Sequence, residues 1–151
     1  MKTNNNNNEA TLSSNRYEVI KNETLKDRHF QGLTISGSLF SQNNFYGVTF
    51  VDCVFFSTKM FDSNFRGCKF INCKFQFSGI KQCKFIASQF KDCAWETSPI
   101  QNSSFISSFL DHKTKFFASK ERNFFEECFS ETILDHEEDD QAGSENVLLA
   151  A

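Results

Sequence analysis

The 151-residue sequence predicts a repeat fold, a solenoid with a narrow, filled interior, and three observations predict it. Large apolar residues recur every five positions. Small residues stand two places before them. Phe, with 20 copies, is almost as frequent as Leu, Ile and Val together, so one ring type dominates the core-forming side chains.

The period comes first, because a missed repeat misreads the whole fold. From Ile20, steps of five reach Leu25, Phe30, Ile35, Phe40, Phe45, Phe50, Phe55, Met60 and Phe65. The run continues through Phe70, Phe75, Ile80, Phe85, Phe90, Trp95, Ile100 and Phe105 to Leu110. With 39% of all residues hydrophobic, chance would give such a run with a probability on the order of one in a hundred million. Five matches neither the helical 3.6, the strand 2.0 nor the coiled-coil 3.5. Two places before the centres stand Ser38, Cys53, Thr58, Ser63, Cys68, Cys73, Ser78, Cys83 and their like. Large and small residues alternating inward predict a narrow interior, and the Lys, Asn, Gln, Asp, Ser and Gly between them predict a solvated outer wall.

Segments such as Ser63-Asn64-Phe65-Arg66-Gly67 and Cys68-Lys69-Phe70-Ile71-Asn72 resemble the pentapeptide-repeat family, in a variant with Phe at the centre and Cys or Ser before it. The resemblance covers residues 20–112. It implies an all-β solenoid, a right-handed quadrilateral β-helix with four pentapeptides per coil and about four to five coils. Residues twenty apart then stack at ~4.8 Å. The interior columns become Leu25/Phe45/Phe65/Phe85/Phe105, Phe30/Phe50/Phe70/Phe90/Leu110, Ile35/Phe55/Phe75/Trp95 and Ile20/Phe40/Met60/Ile80/Ile100.

The six cysteines, Cys53, Cys68, Cys73, Cys83, Cys93 and Cys128, all differ by multiples of five. Cys53, Cys73 and Cys93 share one column, close enough for disulfides to be sterically conceivable. Their register explains them as small buried fillers, and no Cys-x2-Cys pair suggests a metal. The flanks read differently. Residues 1–16 are Asn- and Ser-rich and are expected to be disordered, without a secretory signal, which makes the cytoplasm the default location. That composition also suits a secreted bacterial effector. The repeat body spans 17–113. Residues 114–134 place Phe117, Phe124, Phe125, Cys128 and Phe129 on one helical stripe and predict a C-terminal amphipathic capping helix. Residues 135–151 predict an acidic disordered tail.

Charge and motifs narrow the function. Residues 20–113 carry a net +4 and residues 114–151 a net −7. The belt Lys59, Arg66, Lys69, Lys74, Lys81, Lys84 and Lys91 points from all four faces, so no nucleic-acid track is expected. His29, His112 and His136 lack a nucleophile or an orienting carboxylate at a recognisable spacing, and no phosphate loop, HExxH or GxSxG occurs. An enzyme, a cofactor, a metal and membrane insertion are therefore not expected. The outward row Tyr46, Arg66, Ile86 and Ile106, with the shorter row Val51 and Ile71, is the candidate protein-binding face; Phe56, Phe61 and Phe77 also point outward. The expected function is a rigid protein-binding or scaffolding module, with an unidentified protein or a second copy of the chain as partner. The family resemblance implies one alternative, a DNA-mimicking modulator of a type II topoisomerase such as DNA gyrase that gives quinolone or toxin protection. That role requires an acidic rod, and the middle of this one is basic.

Overall fold

The computed structural model describes Leu12, residues 17–133 and residues 144–149. Within them the repeat becomes four parallel sheets that form the walls of a solenoid. Face A stacks β1 (Val19–Lys21), β5 (Leu39–Ser41), β9 (Lys59–Phe61), β13 (Gly79–Lys81) and β17 (Ile100–Gln101). Face B stacks β2 (Thr24–Lys26), β6 (Asn44–Tyr46), β10 (Asn64–Arg66), β14 (Lys84–Ile86), β18 (Ser104–Ile106) and β20 (Phe124–Glu126). Face C holds β3 (His29–Gln31), β7 (Thr49–Val51), β11 (Lys69–Ile71), β15 (Gln89–Lys91), β19 (Phe109–Leu110), β21 (Cys128–Ile133) and β22 (Ser144–Leu149). Face D holds β4 (Thr34–Ser36), β8 (Val54–Phe56), β12 (Lys74–Gln76) and β16 (Ala94–Glu96). Neighbouring strands pair twenty residues apart, as in Phe65 with Phe45 and Phe85.

Each strand has about three residues with only the central side chain inward, the strand alternation cut short by a corner. The corner residue takes left-handed backbone, as at Asn22 (φ 58°), Asp52 (φ 57°) and Asn72 (φ 55°). Asn, Asp and Gly adopt this region at least cost, which accounts for their places in the repeat. At Gly47 a Cβ would lie 2.6 Å from Asp27 Oδ1, so a larger residue there would push that side chain aside. Corners are tied to both neighbouring coils. The Asp52 N–H donates to the Ile71 carbonyl at 3.0 Å, and the Asn64 N–H donates to the Asn43 carbonyl at 2.9 Å.

The small residue before each centre does more than fit. Ser78 Oγ accepts from the Thr58 N–H at 2.9 Å and donates to the Phe55 carbonyl at 2.9 Å, and Ser88 repeats both bonds with Cys68 and Phe65. These hydroxyls satisfy corner backbone groups that would otherwise be buried unpaired. Between the corners the rings stack in columns. Phe45, Phe65, Phe85, Phe105 and Phe125 are separated by 4.6, 4.8, 5.0 and 5.4 Å between centroids.

The C-terminal end corrects the sequence reading. The helix α1 covers only His112–Ala118, and the solenoid resumes after it. Phe125 stacks on Phe105, and Ser130 takes the inward place above Leu110, so face B reaches six strands and the coil count exceeds four to five. The helix substitutes for the next strands of faces D and A. It docks where Trp95 Nε1 donates to Thr114 Oγ1 at 2.8 Å. Phe117 packs partly against the core, while Phe116, Phe124 and Phe129 point to solvent, so the expected helical stripe does not form. Strand pairing at twenty-residue register outcompetes that stripe because it stacks Phe125 on Phe105 and pairs its backbone. Residues 144–149 of the expected disordered tail form β22, antiparallel to β21. The rest of that tail and most of the Asn-rich N-terminus lie outside the described residues; Leu12 is buried in the core cluster.

Phe70 is fully buried and contacts Phe50, Phe90, Phe65 and Phe85 at centroid distances of 5.1, 4.7, 5.7 and 6.3 Å. Phe70→Ala leaves a ring-sized cavity and should lower unfolding free energy by about 3–5 kcal/mol in denaturant titrations. Asp111 caps the helix by accepting from the Thr114 N–H at 2.7 Å and also accepts from the Cys93 N–H at 2.8 Å. Asp111→Ala removes a cap and orphans a buried donor, an expected loss of about 2–4 kcal/mol by the same titration.

Candidate binding face

Face B presents two outward rows. One is Asn44, Asn64 and Lys84, one place before the inward rings; the other is Tyr46, Arg66, Ile86 and Ile106, one place after them. Parallel in-register pairing puts members of each row on adjacent strands, so the alignment follows directly from the repeat length. Between the rows runs a shallow groove of about 200 Å³ lined by Asn44, Tyr46, Asn64, Phe65, Arg66, Lys84 and Ile86. Its floor is the backbone over buried Phe65. Asn64 Nδ2 donates to Asn44 Oδ1 at 2.9 Å, which fixes that wall of the groove. Tyr46 and Arg66 are exposed, and Ile86 and Ile106 are half-buried. The face is cationic through Lys26, Arg66 and Lys84, and Glu126 appears only on its last strand.

The structure therefore brings Tyr46, Arg66, Ile86 and Ile106 together. It separates them from Val51 and Ile71, which pair with each other on face C, around the corner and half-buried. The sequence reading missed Asn44, Asn64 and Lys84. Their signal was the same twenty-residue stacking, read one position before the centre instead of one after. Phe56, Phe61 and Phe77 are exposed, as the register requires.

Among the described residues no group of three or more His, Cys, Asp or Glu side chains could hold a metal ion. A cavity of about 370 Å³ near the helix is lined by Asp92, Cys93, Asp111, His112, Lys113 and Glu131, among others. Both Asp111 oxygens are occupied by backbone N–H groups there. Burial pushes the Cys93 thiol up to about 12, so it is protonated at neutral pH and a poor nucleophile. Burial likewise raises Cys68 to about 11 and Cys83 to about 12. The thiols of the column mates Cys53 and Cys73 influence one another, which lowers the first and raises the second, while each donates to backbone carbonyls, and all six cysteines are free. Thiols raised on folding stabilise fully below their unfolded value near 9.0, and that contribution is lost as pH rises through 11 to 12. Stability should fall from about pH 9 upward, and a Cys68→Ser/Cys83→Ser variant should show a shallower alkaline decline in Tm.

No family model matches the chain, and no curated protein matches it. Among solved structures it is similar to two trypsin-treated forms of QnrB1, a plasmid-mediated fluoroquinolone resistance protein. One is 14% identical over 66% of this chain and 61% of that chain, with a TM-score of 0.21. The other is 16% identical over 64% and 59%, with a TM-score of 0.25. The chain thus matches about three fifths of the length of those structures. The four-sided parallel solenoid itself, read from sheet order and register, is the architecture expected of a pentapeptide repeat.

Proposed function

We propose that this chain is a non-enzymatic pentapeptide-repeat protein whose face B is a rigid docking wall for a protein partner. The observation that carries the reading is the in-register row Tyr46, Arg66, Ile86 and Ile106 beside the Asn44/Asn64/Lys84 groove. Tyr and Arg are the residue types enriched where binding energy concentrates, and here they are spaced by strand pairing rather than by loops. A wall held by backbone ladders on both sides loses little conformational entropy when a partner settles on it.

The same wall bears on the topoisomerase alternative. Mimicry of duplex DNA needs a run of carboxylates, and the outward rows of face B hold Lys26, Arg66 and Lys84 instead. Charge on this face therefore favours protein docking over mimicry.

The test is capture of partners from the native host on immobilised full-length protein, with affinity then measured on the purified partner. Ile86→Glu and Arg66→Glu should each weaken binding by roughly 30-fold or more if the row is the centre of the interface. Their unfolding free energies should stay within about 1 kcal/mol of the parent, since both side chains point outward. Unchanged affinity in both variants would remove face B as the docking wall. Inhibition or drug protection in a gyrase supercoiling assay would make the topoisomerase reading the main activity.

A further inference from the structure

Face A is the wall joined to face B by one corner. Its five strands carry no Asp or Glu at any outward position. Lys21, Lys59 and Lys81 point outward there, together with Val19, Leu39 and Phe61. Asp62 stands at the corner with face B, and the other corner carboxylates border face C, with Asp27 and Glu127 on one side and Asp52 and Asp92 on the other.

The corner between faces D and A adds rings to this basic wall. Phe77 is 50% exposed and Phe56 is 40% exposed, and their rings meet edge to face at 5.7 Å. Tyr17, 66% exposed, lies beside Gly37 at the same corner. Phe77 holds left-handed backbone at φ 52°, where its column otherwise carries Gly37, Ser57 and Thr97. A bulky side chain in that region is strained, and an exposed ring returns nothing to the core. Phe61, 38% exposed, stands toward the opposite edge of the wall.

We propose that face A, with the Tyr17/Phe56/Phe77 corner and Phe61, is a peripheral docking surface for an anionic lipid membrane. The composition decides between a membrane and a protein. Protein interfaces favour Tyr and Arg and are depleted in Lys; face B carries Tyr46 and Arg66 at its centre, whereas every cation of face A is a lysine. Surfaces that lie on membranes pair Lys with Phe and Leu: the rings enter the headgroup boundary while the ammonium groups reach the lipid phosphates. The strands of this wall add no carboxylate of their own, so Asp62 at its edge offsets only one of the three lysines that would face an anionic leaflet. No helix of the described residues is long and apolar enough to cross a membrane, so the contact is at the surface.

The experiment is co-sedimentation of the full chain with phosphatidylcholine vesicles and with mixed phosphatidylserine–phosphatidylcholine vesicles. Binding should require phosphatidylserine and weaken with added salt. Each lysine near an anionic surface is worth about a factor of five, so Lys59→Gln with Lys81→Gln should lower the partition coefficient roughly 30-fold. Phe56→Ser with Phe77→Ser should lower it by at least tenfold without reducing Tm, because both rings lie outside the core. Ile86→Glu should bind vesicles as the parent does, which separates this surface from face B. Absence of phosphatidylserine-dependent binding, or binding unchanged in both double variants, overturns the proposal. So does retention on immobilised polyglutamate, lost in the lysine variant, in a protein that ignores vesicles, since the surface would then be one for acidic polypeptides.

Discussion

A chain that turns a corner every five residues leaves an interior wide enough for one large side chain per wall. Everything else in this molecule follows from that cross-section. Strand spacing of about 4.8 Å places the next ring at nearly the distance at which flat aromatic faces stack. Phe55, Phe75 and Trp95 lie 4.8 and 4.0 Å apart, tilted by only 4° and 6°. Ring stacking and backbone pairing therefore reinforce the same register. A slip that weakened one would weaken the other, and local and global preferences agree along the whole column.

The corners impose a second condition, since a right-angle turn buries backbone groups that no strand can pair. Serine and threonine meet it with two bonds per hydroxyl, one accepted from an N–H and one donated to a carbonyl, both in the preceding coil. Cysteine meets it less well. The thiols of Cys68 and Cys73 donate to carbonyls at 3.4 Å, and sulfur is a weak donor and acceptor. Its burial is better explained by volume and apolarity than by its hydrogen bonds, which agrees with thiol pKa values shifted upward in most of the six.

Much of this was legible in the sequence, and the limits are instructive. The period names the inward residues, and with a twenty-residue coil it also names which outward residues share a row. It could not reveal that the small residues form a hydrogen-bonded ladder, because Ser reads as small before it reads as polar. Nor did it reveal that the break after Leu110 is a replacement of two strands by a helix within one coil and not an end. Lys115 and Lys120 miss the register, yet Phe125 and Cys128 regain it. A helical stripe and a resumed solenoid compete for the same rings. Local amphipathicity favours the first, and only the coil beneath, offering Phe105 and an unpaired strand, decides for the second.

The corner is also a quantum of sequence change. Loss or gain of twenty residues within the body shortens or lengthens the rod by one coil and leaves every downstream side chain on its own wall. Loss or gain of five keeps the core filled and the corners bonded, but it rotates everything downstream onto the neighbouring wall. Such a change would break the Tyr46–Ile106 row in two while leaving the apolar count and the period intact. A lineage of such proteins can therefore exchange one outer surface for another in a single step that the interior hardly registers. Composition would not record it, and only the phase of the repeat relative to its ends would.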